Sequence, residues 1–498
     1  MTLGSAISSA TNASHPAYAV RSNSRPNSRE IGKQRTQALS NGLIRAVVRP
    51  LLPLPIGAPS IPTERDLLYH VRTCTLHDLV STSNSIGFWQ SHALPLSHAV
   101  EPVKFALCAL GGAHRQFKAQ RGGEPMSHDF ESIAIQQYNQ AISCISICLM
   151  SPSEKNMEVT LTCCIIFICI ENLFGRYTKA VGYLRSAYAL FKHVQESTPL
   201  LQSSTQESPT SNTALSGVFT SIADILFRLN IDVAFYIGSD ACPDAIPPHV
   251  KDIEMEFPAR PFASYVDAEA SFNLMKRVGN ARWYLKSQGR LMHEWDRFRP
   301  ETTIYDTSLV PHELAFLAPY FLHWNARFDL FKQQADRSSA THNALRRIAT
   351  LELYQSVWLA LLKCRTLETD FSPSDCSAIM DCAEALLRLE PSETSPAFAF
   401  DGVIVPAVCL TLHYCEDEAT QRRGINLLRT IRRREGVWDS QEMSDVFEAM
   451  VTARRKDLIA WDAIPYNIPS IAKRLSGLNM PDLRFPQELL LLGAEMAD

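Results

Sequence analysis

Apolar residues recur at intervals of three and four along most of the chain after residue 63. One such stripe follows Pro102, a residue type favoured in the first turn of a helix. It consists of Val103, Ala106, Leu107, Leu110 and Phe117. The next stripe is formed by Ala134, Tyr138, Ala141, Ile145, Cys148 and Leu149. This spacing places the apolar side chains on one face, so both stretches are predicted to be amphipathic helices.

The most distinctive pattern lies between residues 157 and 194. Residues 161–170, with the sequence LTCCIIFICI, are apolar on all sides, which indicates a helix at the centre of a core. The run is too short to cross a bilayer. Gly175 follows it, and a second apolar stripe begins at Tyr177 and ends at Phe191. The pattern predicts two antiparallel helices joined by a short glycine turn.

Helical periodicity continues through the rest of the chain, and no strand-like alternation of useful length competes with it. Further helices are predicted around residues 217–237, 265–298, 311–333, 340–366, 375–389, 402–431 and 440–460. Residues 196–216 are rich in Ser, Thr and Gln, which predicts an internal loop. The expected fold class is all-α, with one large multi-helix domain over residues 63–495 built from packed antiparallel helix pairs.

The first 62 residues have a different composition. They contain seven Lys or Arg and one acid, Glu30, among Ser, Asn, Ala and Pro. Such a stretch cannot bury enough apolar surface to order itself, so residues 1–62 are predicted to be a disordered basic tail. Thr63 and Asp66 resemble a capping box that would begin the first helix. A basic tail is expected of a nuclear protein, but a mitochondrial transit peptide has a similar composition. Of these two locations, we expect the protein to be in the nucleus.

Charge and cysteine content restrict the classes of partner and compartment. The 498 residues include 48 Lys or Arg and 52 Asp or Glu, a net charge of -4, so the whole chain has no electrostatic footprint for nucleic acid. The 13 cysteines are odd in number and irregularly spaced, which is typical of a reduced, intracellular protein. No apolar secretory segment or 18-residue uncharged span is found, so we expect no membrane association.

Few residue patterns suggest chemistry. The sequence motifs of serine hydrolases, zinc proteases, dinucleotide-binding folds and P-loops are absent. Cys409, His413 and Cys415 could suggest a metal site, but no fourth ligand is near and the surroundings are apolar, which favours buried thiols and a core histidine. The same interpretation holds for Cys144, Cys148, Cys376 and Cys382. We therefore predict no enzyme, no cofactor, and no catalytic, cofactor-binding, metal-binding or DNA-binding residues.

The densest basic run comes late in the chain. It contains Arg422, Arg423, Arg429, Arg432, Arg433 and Arg434. These arginines could bind phosphate or an acidic protein segment. The favoured interpretation is a solvated helix end, because cations are stabilised near a helix C-terminus and the opposite face is apolar. Trp438 is expected to anchor the turn that follows, with Asp439 or Ser440 capping the next helix.

Three segments, read in order, resemble the regulatory domain of fungal zinc-cluster (Zn2Cys6) transcription factors. FWQSHALPLSHAVEPVKFALCALGGAHRQF, residues 88–117, resembles the family's aromatic pair, "LS" stretch and alanine-rich helix. Residues 134–149 and 161–191 are similar to its paired core helices, with matching positions at Gly175, Tyr177, Ala180, Leu184, Arg185 and Ser186. RRGINLLRTIRRREGVWDS, residues 422–440, is similar to the family's basic helix that runs into a "REG-W-S" turn.

The sequence departs from this family at the zinc cluster. That motif requires six cysteines that include two Cys-x2-Cys pairs, and no such pair occurs in the sequence. The resemblance therefore implies a transcription-factor-like regulator that acts through protein partners, such as a DNA-binding regulator, or through a small-molecule effector, without direct sequence-specific DNA binding. A truncated family member is the other interpretation of the missing cluster.

The alternative from another class is a helical, repeat-like interaction scaffold unrelated to transcription, and an enzyme ranks third. Two elements, Tyr138 to Ala141 and Tyr177 to Ala180, each resemble half of a tetratricopeptide repeat. No third copy is found, whereas repeat arrays need about three units to form a continuous core.

Overall fold

The computed structural model describes residues 64–79, 85–122, 129–150, 153–202, 209–237, 258–287, 310, 314–335, 340–364, 371–390, 396–459, 467–478 and 484–495. The predicted tail, residues 1–62, lies outside the described residues. The described part of the chain is overwhelmingly helical, which confirms the predicted all-α class.

The N-terminal half consists of helices that pack side by side. Their bounds are α1 (Glu64–His70), α2 (Leu76–Leu79), α3 (Leu94–Ala99), α4 (Glu101–Gly122), α5 (Phe130–Met150), α6 (Glu154–Leu173), α7 (Tyr177–Gln202) and α8 (Pro209–Ile237). π-helical turns at Val71–Thr75 and Phe88–Ala93 precede α2 and α3. Helix α7 extends to Gln202 and α8 begins at Pro209, so the predicted loop over 196–216 is wrong for the residues that belong to these two helices.

The α6–α7 pair confirms the predicted core hairpin. Helix α6 begins at the N-cap Ser153, whose side chain accepts a hydrogen bond from the Asn156 backbone N–H at 3.2 Å. It ends at Leu173, and the turn that follows contains Gly175, whose φ of +68° is the left-handed conformation that glycine adopts without strain. By length and composition α6 could cross a membrane, but 83% of its apolar window is buried inside the protein, as expected of a core helix.

Close approach at glycines in α4 brings its neighbouring helices into contact. A Cβ added at Gly111 would lie 2.7 Å from the backbone oxygen of Leu67 in α1. A Cβ at Gly112 would lie 3.1 Å from that of Ala134 in α5. The small residues in the middle of α4 therefore allow α1 and α5 to pack directly against its backbone.

The C-terminal half adds further helices at the predicted places, and two more after residue 467 that the sequence did not predict. They are α9 (Tyr265–Ser287), α10 (Ala318–Gln334), α11 (His342–Lys363), α12 (Pro373–Arg388), α13 (Ile404–His413), α14 (Glu418–Ile431), α15 (Ser440–Arg455), α16 (Ile468–Ser476) and α17 (Gln487–Glu495). Residues 288–298 and 311–313 of two predicted helices lie outside the described residues. The single helix predicted over 402–431 is wrong, because Asp417 caps a new helix by accepting the Thr420 N–H at 2.8 Å.

A small β-sheet lies between the helices. The sequence pattern predicts helices and no strands, and this expectation is wrong here. Strand β1 (Ala397–Ala399) pairs in parallel with β2 (Arg433–Glu435), and β2 pairs antiparallel with β3 (Trp438–Asp439). Strands of two or three residues are too short to show an alternating pattern. Gly436, with φ of +56°, makes the β2–β3 turn, and its N–H donates to the Ala399 oxygen at 3.0 Å. The sheet thereby brings the "REG-W" segment onto the core.

Candidate functional site

A small polar cavity lies between α8, α9, α11 and the segment that follows β1. Its volume is about 30 Å³, room for one or two water molecules, at the bottom of a partly open cleft. Six of its lining residues have charged side chains: Arg228, Asp232, Glu269, Lys276, Arg347 and Asp401. Three basic and three acidic side chains make the cavity formally neutral. Charge, rather than apolar surface, therefore determines what it can bind.

The two arginines of the cavity are already engaged in ion pairs. Arg228 Nη1 donates to Asp401 Oδ2 at 2.6 Å, which ties α8 to the segment after β1. Arg347 Nε donates to Glu269 Oε2 at 3.0 Å, which ties α11 to α9. Both arginines are 8% exposed. Because buried guanidiniums need such partners, these pairs hold the walls of the cavity in place.

Lys276 occupies a different environment. Its Nζ lies 4.7 Å from the ring centroid of Tyr354 and 5.4 Å from that of Phe272, two rings that stack on each other. Among the described residues, no carboxylate lies within ion-pair distance of this Nζ. Burial lowers the pKa of Lys276, although the nearby Asp232 and Asp401 carboxylates oppose that effect. The ammonium thus rests on aromatic faces with its hydrogen-bond donors still available.

Asp232 is the acidic counterpart on α8. Its Oδ2 accepts the backbone N–H of Gly402 at 2.9 Å. Burial and the neighbouring Asp401 carboxylate raise the pKa of Asp232 to about 7. The buried Oδ1 of Asp401 has no hydrogen-bond partner in the described part of the chain. The cavity therefore offers one cation and two carboxylate oxygens with free hydrogen-bonding capacity.

The structure contradicts the favoured interpretation of the basic run, a solvated helix end, at two positions. Arg433 is 2% exposed and Arg434 is 5% exposed, so neither lies on a solvated helix end. Arg433 Nε donates to Glu435 Oε1 at 2.5 Å. Glu435 Oε2 in turn accepts the backbone N–H groups of Val403 and Val405, at 2.8 and 3.0 Å, at the start of α13. The ion pair thus satisfies the N-terminus of that helix.

Arg434 connects two helix termini that are far apart in sequence. Its Nη1 donates to the backbone oxygens of Asn172 and Leu173, each at 2.8 Å, at the C-terminal end of α6. Its Nε donates to Asp439 Oδ2 at 2.7 Å. Asp439 also pairs with Arg121 and is the N-cap of α15, which confirms the predicted cap. Burial would raise the pKa of Asp439, but the Arg434 and Arg121 guanidiniums lower it below its usual value.

The other predicted members of this region have varied surroundings. Arg422 and Arg429 are 70% and 42% exposed at the side chain and pair with Glu418 and Glu448. The interpretation as solvent-exposed helix residues is therefore confirmed for Arg422 and Arg429. Trp438 is fully buried against Tyr236, with ring centroids 5.0 Å apart, which confirms its expected anchoring of the turn.

A constellation near α2 has the geometry of a nucleophile, base and acid. His114 Nδ1 lies 3.2 Å from Thr75 Oγ1, and His114 Nε2 lies 3.1 Å from Asp78 Oδ2. Thr75 and His114 are both fully buried, so substrate has no access to them. His70 Nε2 also lies 3.1 Å from His114 Nδ1. The cluster is therefore a buried hydrogen-bond network that joins α1, α2 and α4.

The prediction of buried thiols is confirmed for Cys376, Cys409 and Cys415 and is wrong for three other cysteines. Cys409 and Cys415 are 0% and 1% exposed, and burial lowers the pKa of His413 to about 4, with Arg454 as the second cause. Cys376 is fully buried, while Cys144, Cys148 and Cys382 are half-buried. Within the described ranges, no group of three or more His, Cys, Asp or Glu side chains is placed to hold a metal ion.

Sequence reasoning did not find the cavity residues. One signal was available: Arg228 and Asp232 are one helical turn apart in a largely apolar stretch of α8, and charges at such positions need buried partners. Their partners lie in α9, α11 and the segment after β1, up to 173 residues away. A single sequence contains no spacing rule that links such distant elements.

Comparison with known proteins identifies one part of the chain. Residues 67–229 match the sequence profile of the fungal specific transcription factor domain. This range includes the first two segments that resemble the family and excludes the "REG-W" segment. No curated protein and no solved structure matches the chain.

Proposed function

We propose that this chain, whose residues 67–229 match the fungal specific transcription factor domain, is a transcription regulator that works in the nucleus through protein partners and a bound effector. The domain match is the observation that carries the proposal. The regulatory domain of Zn2Cys6 factors is not an enzymatic module, and the one triad-like cluster in the described residues is inaccessible to substrate. Both facts favour regulation over catalysis.

DNA contact is proposed to come from a partner. The sequence has no Cys-x2-Cys pair, and its net charge of -4 offers little attraction to a polyanion. In the described region, five of the six arginines of the basic run are paired with acids, for example Arg434 with Asp439 and Arg423 with Glu384. The sixth, Arg432, is exposed and donates to the backbone oxygen of Arg121. Little of that run is therefore left to contact phosphates, and a zinc-cluster protein bound to this chain would supply the DNA-binding surface.

The cavity between α8, α9 and α11 supports the effector part of the proposal. It touches α8, part of which lies within the matched domain, and it also touches elements beyond residue 229. A ligand there would therefore contact both parts of the described chain. Occupancy could change how α8 packs against α9 and α11, which is the coupling that an effector requires.

The experiment is to delete the gene, restore it with a fluorescently tagged copy, and measure both localisation and genome-wide transcript levels. We expect nuclear fluorescence and a defined set of transcripts that changes on deletion and recovers with the tagged copy. Unchanged transcripts together with cytoplasmic fluorescence would support the interaction scaffold instead. Mitochondrial fluorescence would show that the basic tail is a transit peptide.

A further inference from the structure

The charges of the cavity fall into two groups. Arg228 with Asp401 and Arg347 with Glu269 form two ion pairs in the cavity wall. Lys276 and Asp232 remain, and no ion pair within 4.0 Å joins either of them to another described residue. Each is partly exposed to the cavity. Within the described region, the protein therefore presents one ammonium and one carboxylate group without an ion-pair partner to the same small space, the carboxylate with one oxygen bound to the Gly402 N–H.

These two groups define the ligand by complementarity. A simple anion would meet Lys276 but also the carboxylates of Asp232 and Asp401, which repel it. A simple cation would meet the carboxylates but also Lys276. A molecule with both charges a few atoms apart satisfies both ends, with its ammonium group directed to Asp232 and the unpartnered Oδ1 of Asp401.

We propose that this cavity binds the zwitterionic head of a small amino carboxylate, such as a free α-amino acid. The carboxylate of the ligand pairs with Lys276 above the Tyr354 ring, and its ammonium group pairs with Asp232. The ligand displaces the one or two water molecules at the bottom of the cleft, and the atoms that this small space does not hold lie in the partly open cleft above it. Any side chain extends into the partly open cleft. The inference rests on the proposed function only in calling this ligand an effector.

Binding is tested on the full-length purified protein by calorimetric titration with glycine and L-alanine as zwitterions. Acetate and methylammonium carry the same charged groups singly. We expect glycine and alanine to bind with dissociation constants on the order of 1 mM, and each single-charge fragment to bind at least about tenfold more weakly. If acetate or methylammonium binds as tightly as glycine, the zwitterion assignment is wrong. If none of the four binds, the site itself is refuted.

Variants locate the binding to the cavity. Lys276→Met and Asp232→Asn should each weaken glycine binding at least about tenfold. Lys155→Met and Asp457→Asn make the same changes at exposed positions and should leave binding unchanged. Thermal unfolding confirms that the variants are folded; if Lys276→Met does not fold, the milder Lys276→Gln replaces it. Glycine binding that survives both cavity variants overturns the assignment.

The outcome is separable from that of the proposed function. A chain that binds glycine at this cavity, yet whose deletion leaves all transcripts unchanged, has the site but not the regulatory role. A chain whose deletion changes transcripts, yet which binds no zwitterion, is a regulator without this ligand.

Discussion

Arg433 and Arg434 are neighbours in sequence, and their side chains stabilise different helices. In β2 successive side chains point to opposite faces, so Arg433 reaches Glu435 and the start of α13, while Arg434 reaches Asp439 and the end of α6. Both guanidiniums are desolvated. Their partners are therefore required for the fold and are not optional surface contacts.

Replacing Arg434 with Met should destabilise the protein by about 3–5 kcal/mol, because Asp439 and two backbone oxygens of α6 lose a buried partner. The measurement is the free energy of unfolding from urea denaturation. Arg429→Met is the matched control: its side chain is 42% exposed, and loss of its pair with Glu448 should cost less than about 1 kcal/mol. Equal losses in the two variants would contradict the assigned role of Arg434.

Glu442 gives a pH prediction. Burial and the adjacent Asp439 raise the pKa of Glu442 to about 7, while Tyr177 donates to its Oε2 at 2.8 Å. The folded state then holds a proton that the unfolded state releases above about pH 4.3, so stability falls as pH rises from about 4.3 to 7. Glu442→Gln should reduce this fall by on the order of 1–2 kcal/mol. Glu448→Gln makes the same change at an exposed position and is the matched control; an equal change in the two variants would contradict the role assigned to the buried Glu442.

At the scale of elements, helical periodicity was sufficient to predict most of the helices and the α6–α7 hairpin. Periodicity failed where a single capping residue or the pairing of short, distant strands determines the secondary structure. The break between α13 and α14 depends on the cap at Asp417, and the three strands depend on pairing between residues 397–399 and 433–435. The burial of Arg434 depends on carbonyl groups 261 and 262 residues away, which no local pattern reveals.

The hairpin core can be tested with Phe167, which is fully buried in α6 and lies 4.6 Å from the Tyr138 ring centroid. Phe167→Asp places an unpaired charge there and should cost more than about 4 kcal/mol, enough to unfold a marginally stable domain. Lys155→Ala, at an exposed position in the first turn of the same helix, should be nearly silent. Equal thermal unfolding midpoints for the two variants would refute the role of α6 as a core helix.

Helix contact at α4 gives a second test with a matched pair. Gly111→Ala places a methyl group 2.7 Å from the Leu67 oxygen, so α1 must move away, at a cost of about 1–3 kcal/mol. Gly182→Ala in α7 meets no atom within 4 Å and should stabilise the protein by about 0.5–1 kcal/mol, because alanine favours the helix. The two unfolding midpoints should therefore shift in opposite directions. An upward shift of both midpoints would show that α1 does not pack on Gly111.

At the scale of the whole molecule, one buried hydrophobic cluster includes residues from Val71 to Leu492. The domain match ends at residue 229, but the cluster continues through α9 to α17. The resemblance read from the sequence extended to the "REG-W" segment, and the structure places that segment against α6. Its contacts with the matched domain run through Arg434, Asn172 and Leu173.

We expect the purified chain to contain no stoichiometric zinc and to recognise no specific DNA sequence, because its cysteines lack Cys-x2-Cys spacing. Elemental analysis and binding to a randomised DNA pool measure the two properties. Two zinc ions per chain, or enrichment of one DNA sequence, would contradict the prediction. Salt-sensitive binding without sequence preference, through the basic residues between 21 and 49, would remain compatible with it.

The Arg434 contacts have a consequence for inheritance. The end of α6 obtains hydrogen bonds from a residue more than 260 positions further along the chain, so the two regions function as complementary halves of one body. A premature stop codon between them would yield a null allele and not a milder one. Two separately expressed halves, by contrast, could restore the phenotype together, because the missing donor need not be on the same polypeptide.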